Sequence, residues 1–106
     1  LLKLNTMKQT KKEPNGTSFW NSTIKATVNE LIAILGKPLY AGNDGEDKVN
    51  FEWHMETNKG DIFTIYDWKE YRVLDENETI EWHIGGMREA ITTQAQAELA
   101  AALTVN

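Results

Sequence analysis

The sequence predicts an α+β protein. An antiparallel sheet carries a short helix after its first strand and a C-terminal helix, in the order β-α-β-β-β-α, packed as two layers. Three observations predict this. "KVNFEWHMET" alternates apolar and polar residues along a whole strand. "TVNELIAILGKP" holds a helix start, an apolar face and a helix stop within a dozen residues. "MREAITTQAQAELAAAL" places Ile91, Ala95, Leu99, Ala102 and Leu103 on one helical stripe.

The elements follow in order. Residues 1–16 are polar and basic and close on the turn signal "EPNG", which predicts a flexible tail ahead of a single domain over 17–106. Met7 is the expected first residue of the native chain, with Leu1–Thr6 an upstream addition. "TSFWNSTIKA" supplies a first strand through Phe19, Trp20 and Ile24. Thr27 and Glu30 make a capping box, and Val28, Leu31, Ile32 and Leu35 form the apolar face of a helix over 28–35. Gly36 and Pro38 end it.

After the solvated loop "YAGNDGEDK", Phe51, Trp53 and Met55 share one face of a strand, with Glu52, His54 and Glu56 on the other. "NKG" turns the chain into "DIFTIYDW", completing a hairpin. That returning strand is apolar on both faces, Phe63 and Ile65 against Ile62, Thr64 and Tyr66, as befits a central strand or one covered by a partner. "KEYRVLDENET" connects to a last strand, "IEWHIGG".

Composition bounds the function. The chain has 106 residues, 41% hydrophobic and 25% charged, enough for one domain with a modest core. A net charge of −5 argues against gripping a long nucleic acid, which requires many phosphates to be neutralised. It leaves room for a small anionic ligand in a local basic pocket, or for docking on a basic protein. The absence of cysteine removes disulfides, thiolate metal sites and a cysteine nucleophile. No run of about 18 apolar residues exists to cross a membrane. The expected location is the cytoplasm.

The chemistry-bearing residues concentrate between Ile65 and Gly86. Tyr66, Trp68 and Tyr71 are aromatics beyond what a core needs, and Lys69 and Arg72 lie among them. Rings beside cations suit a nucleotide, whose base stacks and whose phosphate pairs. "IGGMRE" sets Gly85 and Gly86 before a helix, where free N–H groups can hold an anion, with Arg88 in the first turn against the helix dipole. His54 and His83 fall on polar strand faces, but their spacing is no metal motif, and no nucleophile or phosphate-loop signature is present. No metal, cofactor or enzymatic activity is expected.

The runs "ILGKP", "VNFEWHMET", "FTIYDWKEY" and "EWHIGG" resemble small proteins encoded by bacteriophages and prophages, over about residues 23–88. "IYDWK" with a later "WHIGG" is the specific portion. That setting implies a phage accessory protein acting in the bacterial host's cytoplasm. A sheet followed by a terminal helix with an Arg-acid pair near its start is also similar to the anti-Thoeris proteins. Those assemble as oligomers and sequester a cyclic ADP-ribose signal without cleaving it. The resemblance adds Arg88, Glu89 and the Phe63 ring as candidates.

The expected function is therefore non-enzymatic capture of a nucleotide-derived signal, of cyclic ADP-ribose or cyclic oligonucleotide type, by a protein that counters host defence. Its expected ligand-binding residues are Phe63, Tyr66, Trp68, Lys69, Tyr71, Arg72, His83, Gly85, Gly86 and Arg88. The alternative is an acidic inhibitor that docks on a basic host protein, such as a nucleic-acid enzyme, through Asp44, Glu46, Asp47, Asp75, Glu76 and Glu78. A homo-oligomer is expected, because the second apolar face of the hairpin and the alanine-rich helix both call for cover.

Overall fold

The computed structural model describes residues 7–105. The expectation for Leu1–Thr6 lies outside the described residues. The elements are β1 (Lys8–Gln9), β2 (Ser18–Ala26), α1 (Val28–Leu35), β3 (Tyr40–Ala41), β4 (Phe51–Glu56), β5 (Ile62–Tyr66), β6 (Ile80–Gly86) and α2 (Glu89–Val105). One antiparallel sheet runs β1-β4-β5-β6-β2, with β3 beside β1 on the same edge of β4. The fold is α+β, as the sequence predicts, with two short strands added.

Residues 8–10 depart from the expected tail. Lys8 and Gln9 pair with Glu56 and Met55 of β4, and Thr10 N–H donates to His54 O at 3.1 Å. Gln9 Nε2 donates to Leu35 O and Lys37 O, both at 2.8 Å. The Leu35 carbonyl is in the last turn of α1, which has no helical partner for it, and Lys37 follows just past the Gly36 cap. A composition that reads as a solvated tail thus supplies an edge strand and a helix C-terminal clamp.

The α1 boundaries follow the sequence signals. Thr27 Oγ1 accepts from Glu30 N–H at 3.0 Å and Glu30 Oε1 accepts from Thr27 N–H at 2.9 Å, closing the capping box. Gly36 stops the helix at φ 83°, and its N–H returns to Ile32 O.

The core lies between the sheet and the helices. Trp53 and Trp82 sit at its centre, fully buried, with ring centroids 5.6 Å apart at 75°. Each indole N–H finds a backbone acceptor at 2.9 Å, Gly36 O for Trp53 and Ala26 O for Trp82. An unpaired indole there would carry a desolvation cost, so each bond locks its ring in place. Leu31, Leu35, Ile91, Ala95 and Leu99 bring the helices down onto this layer.

Gly86 is required by that packing. A Cβ added there would lie 2.8 Å from Thr92 Cγ2 and 3.4 Å from Ile91 Cγ2 of α2. Gly86→Ala is expected to push α2 outward and cost about 1–3 kcal/mol, read as a lower urea midpoint.

Two loops at one end of the sheet are knotted together by a buried polar network. Asp67 Oδ1 accepts from the N–H groups of Asn50 (2.7 Å) and Phe51 (2.8 Å), and its Oδ2 accepts from Asn50 Nδ2 at 3.0 Å. Asn50 Nδ2 also reaches Arg72 O. Asn43 exchanges two hydrogen bonds with the backbone of Leu74. The segments around 43–50 and 67–74 are thereby one unit.

Candidate functional site

Both helices pack on one face of the sheet. The other face carries what the alternation of the strands sends there: Glu52 and His54 from β4, Thr64 and Tyr66 from β5, His83 and Gly85 from β6. Phe19 joins them from β2. Between Phe19 and Thr23 the β2 register shifts against β6, Asn21 takes φ 69°, and the bulged strand bows. Phe19 then lies flat on His83, with ring centroids 3.9 Å apart and planes 11° apart.

Four rings cluster here. Tyr66 meets His83 edge-on at 5.6 Å and Trp68 edge-on at 5.9 Å. Trp68 lies roughly parallel to His83 at 6.1 Å. Lys48 Nζ and Lys69 Nζ stand 5.8 and 5.6 Å from the Trp68 ring centre. Trp68 remains 39% exposed, so its ring is available to a ligand.

Beside this cluster a cleft of about 230 Å³ opens, with Ser18, Glu52, Thr64, Tyr66, Trp68 and Gly85 on its walls. Pro14, Thr17 and Val49 complete the rim. Gly85 keeps the cleft open. A Cβ there would lie 2.5 Å from Thr64 Oγ1 and 3.5 Å from Tyr66 Cε1. The volume is below the ~300–1,000 Å³ of sites for drug-sized ligands and suits one planar base, with the rest of a nucleotide lying outside it.

No protein-family model, curated protein or solved structure matches the chain. The site's chemistry therefore rests on its own geometry.

The structure brings together Tyr66, Trp68, Lys69, His83 and Gly85 of the expected residues. It places the others elsewhere. Phe63 is wholly buried on the core face and has no ring surface to offer. Arg72 is engaged by Glu78 through two short bonds, 2.8 and 2.7 Å, and by Glu70 at 3.3 Å. Tyr71 is exposed and makes none of the ring contacts of the cluster. Gly85 and Gly86 stand in the middle of the sheet, paired with β5 and β2 on either side, and so form no anion cradle at a helix start. Gly86 faces α2. Arg88 precedes α2, and its carbonyl accepts from the N–H groups of Ile91 and Thr92 in the first turn. Its exposed side chain makes no ion pair among the described residues.

His54 and His83 do not converge. β5 lies between their strands, and His54 Nε2 is spent on Glu52 Oε2 at 2.5 Å. Among the described residues no three His, Asp or Glu side chains are grouped to hold a metal.

The residues missed in the sequence are Phe19, Lys48, Glu52 and Thr64. A signal for two of them existed. The turn closes between Thr57 and Asp61, and counting back from it sets Glu52 opposite Tyr66 and His54 opposite Thr64. Phe19 carried no such signal, because a bulge cannot be counted from alternation.

Burial under Phe19 pushes the His83 pKa below its ordinary 6.5, against the pull of nearby Glu81 in the other direction. The folded state therefore favours neutral His83. Its contribution to stability is complete above pH 6.5 and is lost as pH falls through the lowered folded value. Melting temperature is expected to decline below pH 6.5 and above the carboxylate range, and His83→Gln to flatten that decline.

Proposed function

We propose that this protein is a non-enzymatic binding protein that captures a flat, anionic, nucleotide-type ligand on the open face of its sheet. What carries the reading is the cleft beside Trp68, where an exposed indole has two lysine ammoniums within 6 Å of its centre. A base stacks on an indole through its π-face, and a phosphate pairs with the lysines. In the phage setting that the sequence resemblance implies, the ligand is a nucleotide-derived defence signal, held away from its receptor in the bacterial cytoplasm.

The experiment is a thermal-shift panel of cyclic nucleotides, cyclic oligonucleotides and ADP-ribose isomers. A ligand at about one hundred times its dissociation constant adds roughly 2.7 kcal/mol, a shift of several degrees. Trp68→Ala is expected to weaken that ligand about tenfold or more, since base–aromatic stacking is worth ~1–3 kcal/mol. It is also expected to cost the unliganded protein about 1–2 kcal/mol, because it removes the ring contacts with Tyr66 and His83, so affinity is compared at a temperature where both proteins are folded. A panel in which no compound shifts the protein would contradict the proposal.

A second reading has its own observation. The knotted loops set Asp44, Glu46 and Asp47 beside Asp75, Glu76 and Glu78, because Asn43 is bonded to Leu74. This acidic end suits docking on a basic protein. Salt-sensitive binding to a basic protein partner, unaffected by Trp68→Ala and abolished by charge removal at 75–78, would favour it.

A further inference from the structure

We propose that the cleft selects a guanine base, with Glu52 reading the base's hydrogen-bond-donor edge. This rests on the ligand-capture reading above and narrows it to one base.

Glu52 stands opposite Tyr66 in the β4–β5 pair and lines the cleft with Trp68. Its Oε2 is held by His54 Nε2 at 2.5 Å. An ionised carboxylate offers acceptors alone, so that contact places the imidazole proton on Nε2. His54 thus orients the carboxylate. Oε1 has no donor among the described residues, and Oε2 keeps a further lone pair. The Glu52 side chain is 31% exposed, open enough to meet a ligand.

A fixed carboxylate at the edge of a stacking site discriminates among bases by simple pairing. Guanine presents two adjacent donors on one edge, N1–H and the 2-amino group, which match the two carboxylate oxygens. Adenine and cytosine present one amino donor beside a ring-nitrogen lone pair, which the carboxylate repels. Uracil and thymine present one N–H between two carbonyls. A bidentate match of this kind is worth about tenfold or more in discrimination. The rest of the site fits the same occupant. Trp68 gives the stacking surface, and Lys48 and Lys69, whose ammoniums stand over its ring, swing aside to meet the phosphate as the base stacks. Those two ammoniums also disfavour a cationic guest, which excludes the other use of clustered rings, a cage for a methylated ammonium.

The test titrates the full chain, at one fixed salt concentration, with guanosine, inosine and adenosine monophosphates, each linear and cyclic. Inosine keeps N1–H and lacks the 2-amino group. The expected order is guanosine tightest, at least about tenfold over adenosine, with inosine between. Glu52→Gln is expected to bring guanosine and adenosine within about threefold of each other. Should Glu52→Gln fail to fold, the order on the unaltered chain decides alone. Adenosine binding as tightly as guanosine overturns the base selection and leaves ligand capture standing. Binding of none of these compounds, while a cyclic oligonucleotide or an ADP-ribose isomer binds, overturns the base selection alone; binding of nothing in either panel overturns both.

Discussion

Asp67→Ala is expected to lower stability by at least about 3 kcal/mol, because it removes three hydrogen bonds from groups that water cannot reach. The side chain is wholly buried. It accepts from two successive backbone N–H groups, of Asn50 and Phe51, and from the Asn50 amide. Each buried donor left unpaired costs about 1–3 kcal/mol. The strand start at Phe51 and the link between the two loops fail together. For a domain of this size the melting temperature should fall by roughly 4–8 °C per kcal/mol, a drop well above 10 °C. Asp67→Asn keeps the Oδ1 acceptor but can turn an amide donor toward the Asn50 amide donor, so it should cost less, about 1–2 kcal/mol. Thermal melts of the three proteins check the order, with wild type highest and Asp67→Ala lowest. An alanine variant as stable as wild type would show that these hydrogen bonds do not hold the loops.

Trp82→Ala is expected to cost about 3–5 kcal/mol, the range for removing a large aromatic side chain from a core. Trp82 is fully buried, meets Trp53 edge-on and donates its indole N–H to Ala26 O. Its loss leaves a cavity beneath the helices and removes the indole hydrogen bond to Ala26 O. Against a typical total of about 5–15 kcal/mol, that is a large share. Trp82→Phe retains most of the volume and forfeits the hydrogen bond, so it should fall between. The near-ultraviolet circular dichroism of the alanine variant should weaken, because the Trp53–Trp82 pair is broken. His83, the next residue, faces the opposite side of the sheet. His83→Gln should therefore leave that core signal unchanged.

Much of the fold was legible because alternation and capping act locally. The Phe51–Met55 alternation gives the face of β4, and Thr27 with Glu30 and Gly36 gives both ends of α1. What was not legible depends on long-range partners. Lys8–Gln9 becomes a strand only because β4 offers an edge and the end of α1 offers carbonyls to Gln9. Asp67 reads only as part of the returning strand "DIFTIYDW", and its role depends on Asn50, seventeen positions away.

The site shows the same division. Tyr66, Trp68 and His83 could be singled out as aromatics and imidazole in excess of the core's needs. The Phe19 stack on His83 follows from a bulge, and Glu52 becomes a wall of the cleft through hairpin register. Arg72 illustrates the limit of proximity in sequence. It lies four residues from Trp68, but Glu78 and Glu70 hold its guanidinium.

The four tryptophans provide the most direct test of the open face as the binding surface. Trp53 and Trp82 report on the core, Trp20 on the β2 edge, where its indole N–H meets Gly86 O, and Trp68 on the cleft. The measurement is a nitrogen–proton NMR titration of their assigned indole signals with the guanosine and adenosine nucleotides. The expected result is a saturable shift of the Trp68 indole, with Trp53 and Trp82 unmoved. A Trp68 signal that stays still while any nucleotide binds, or under every nucleotide tried, would contradict the account.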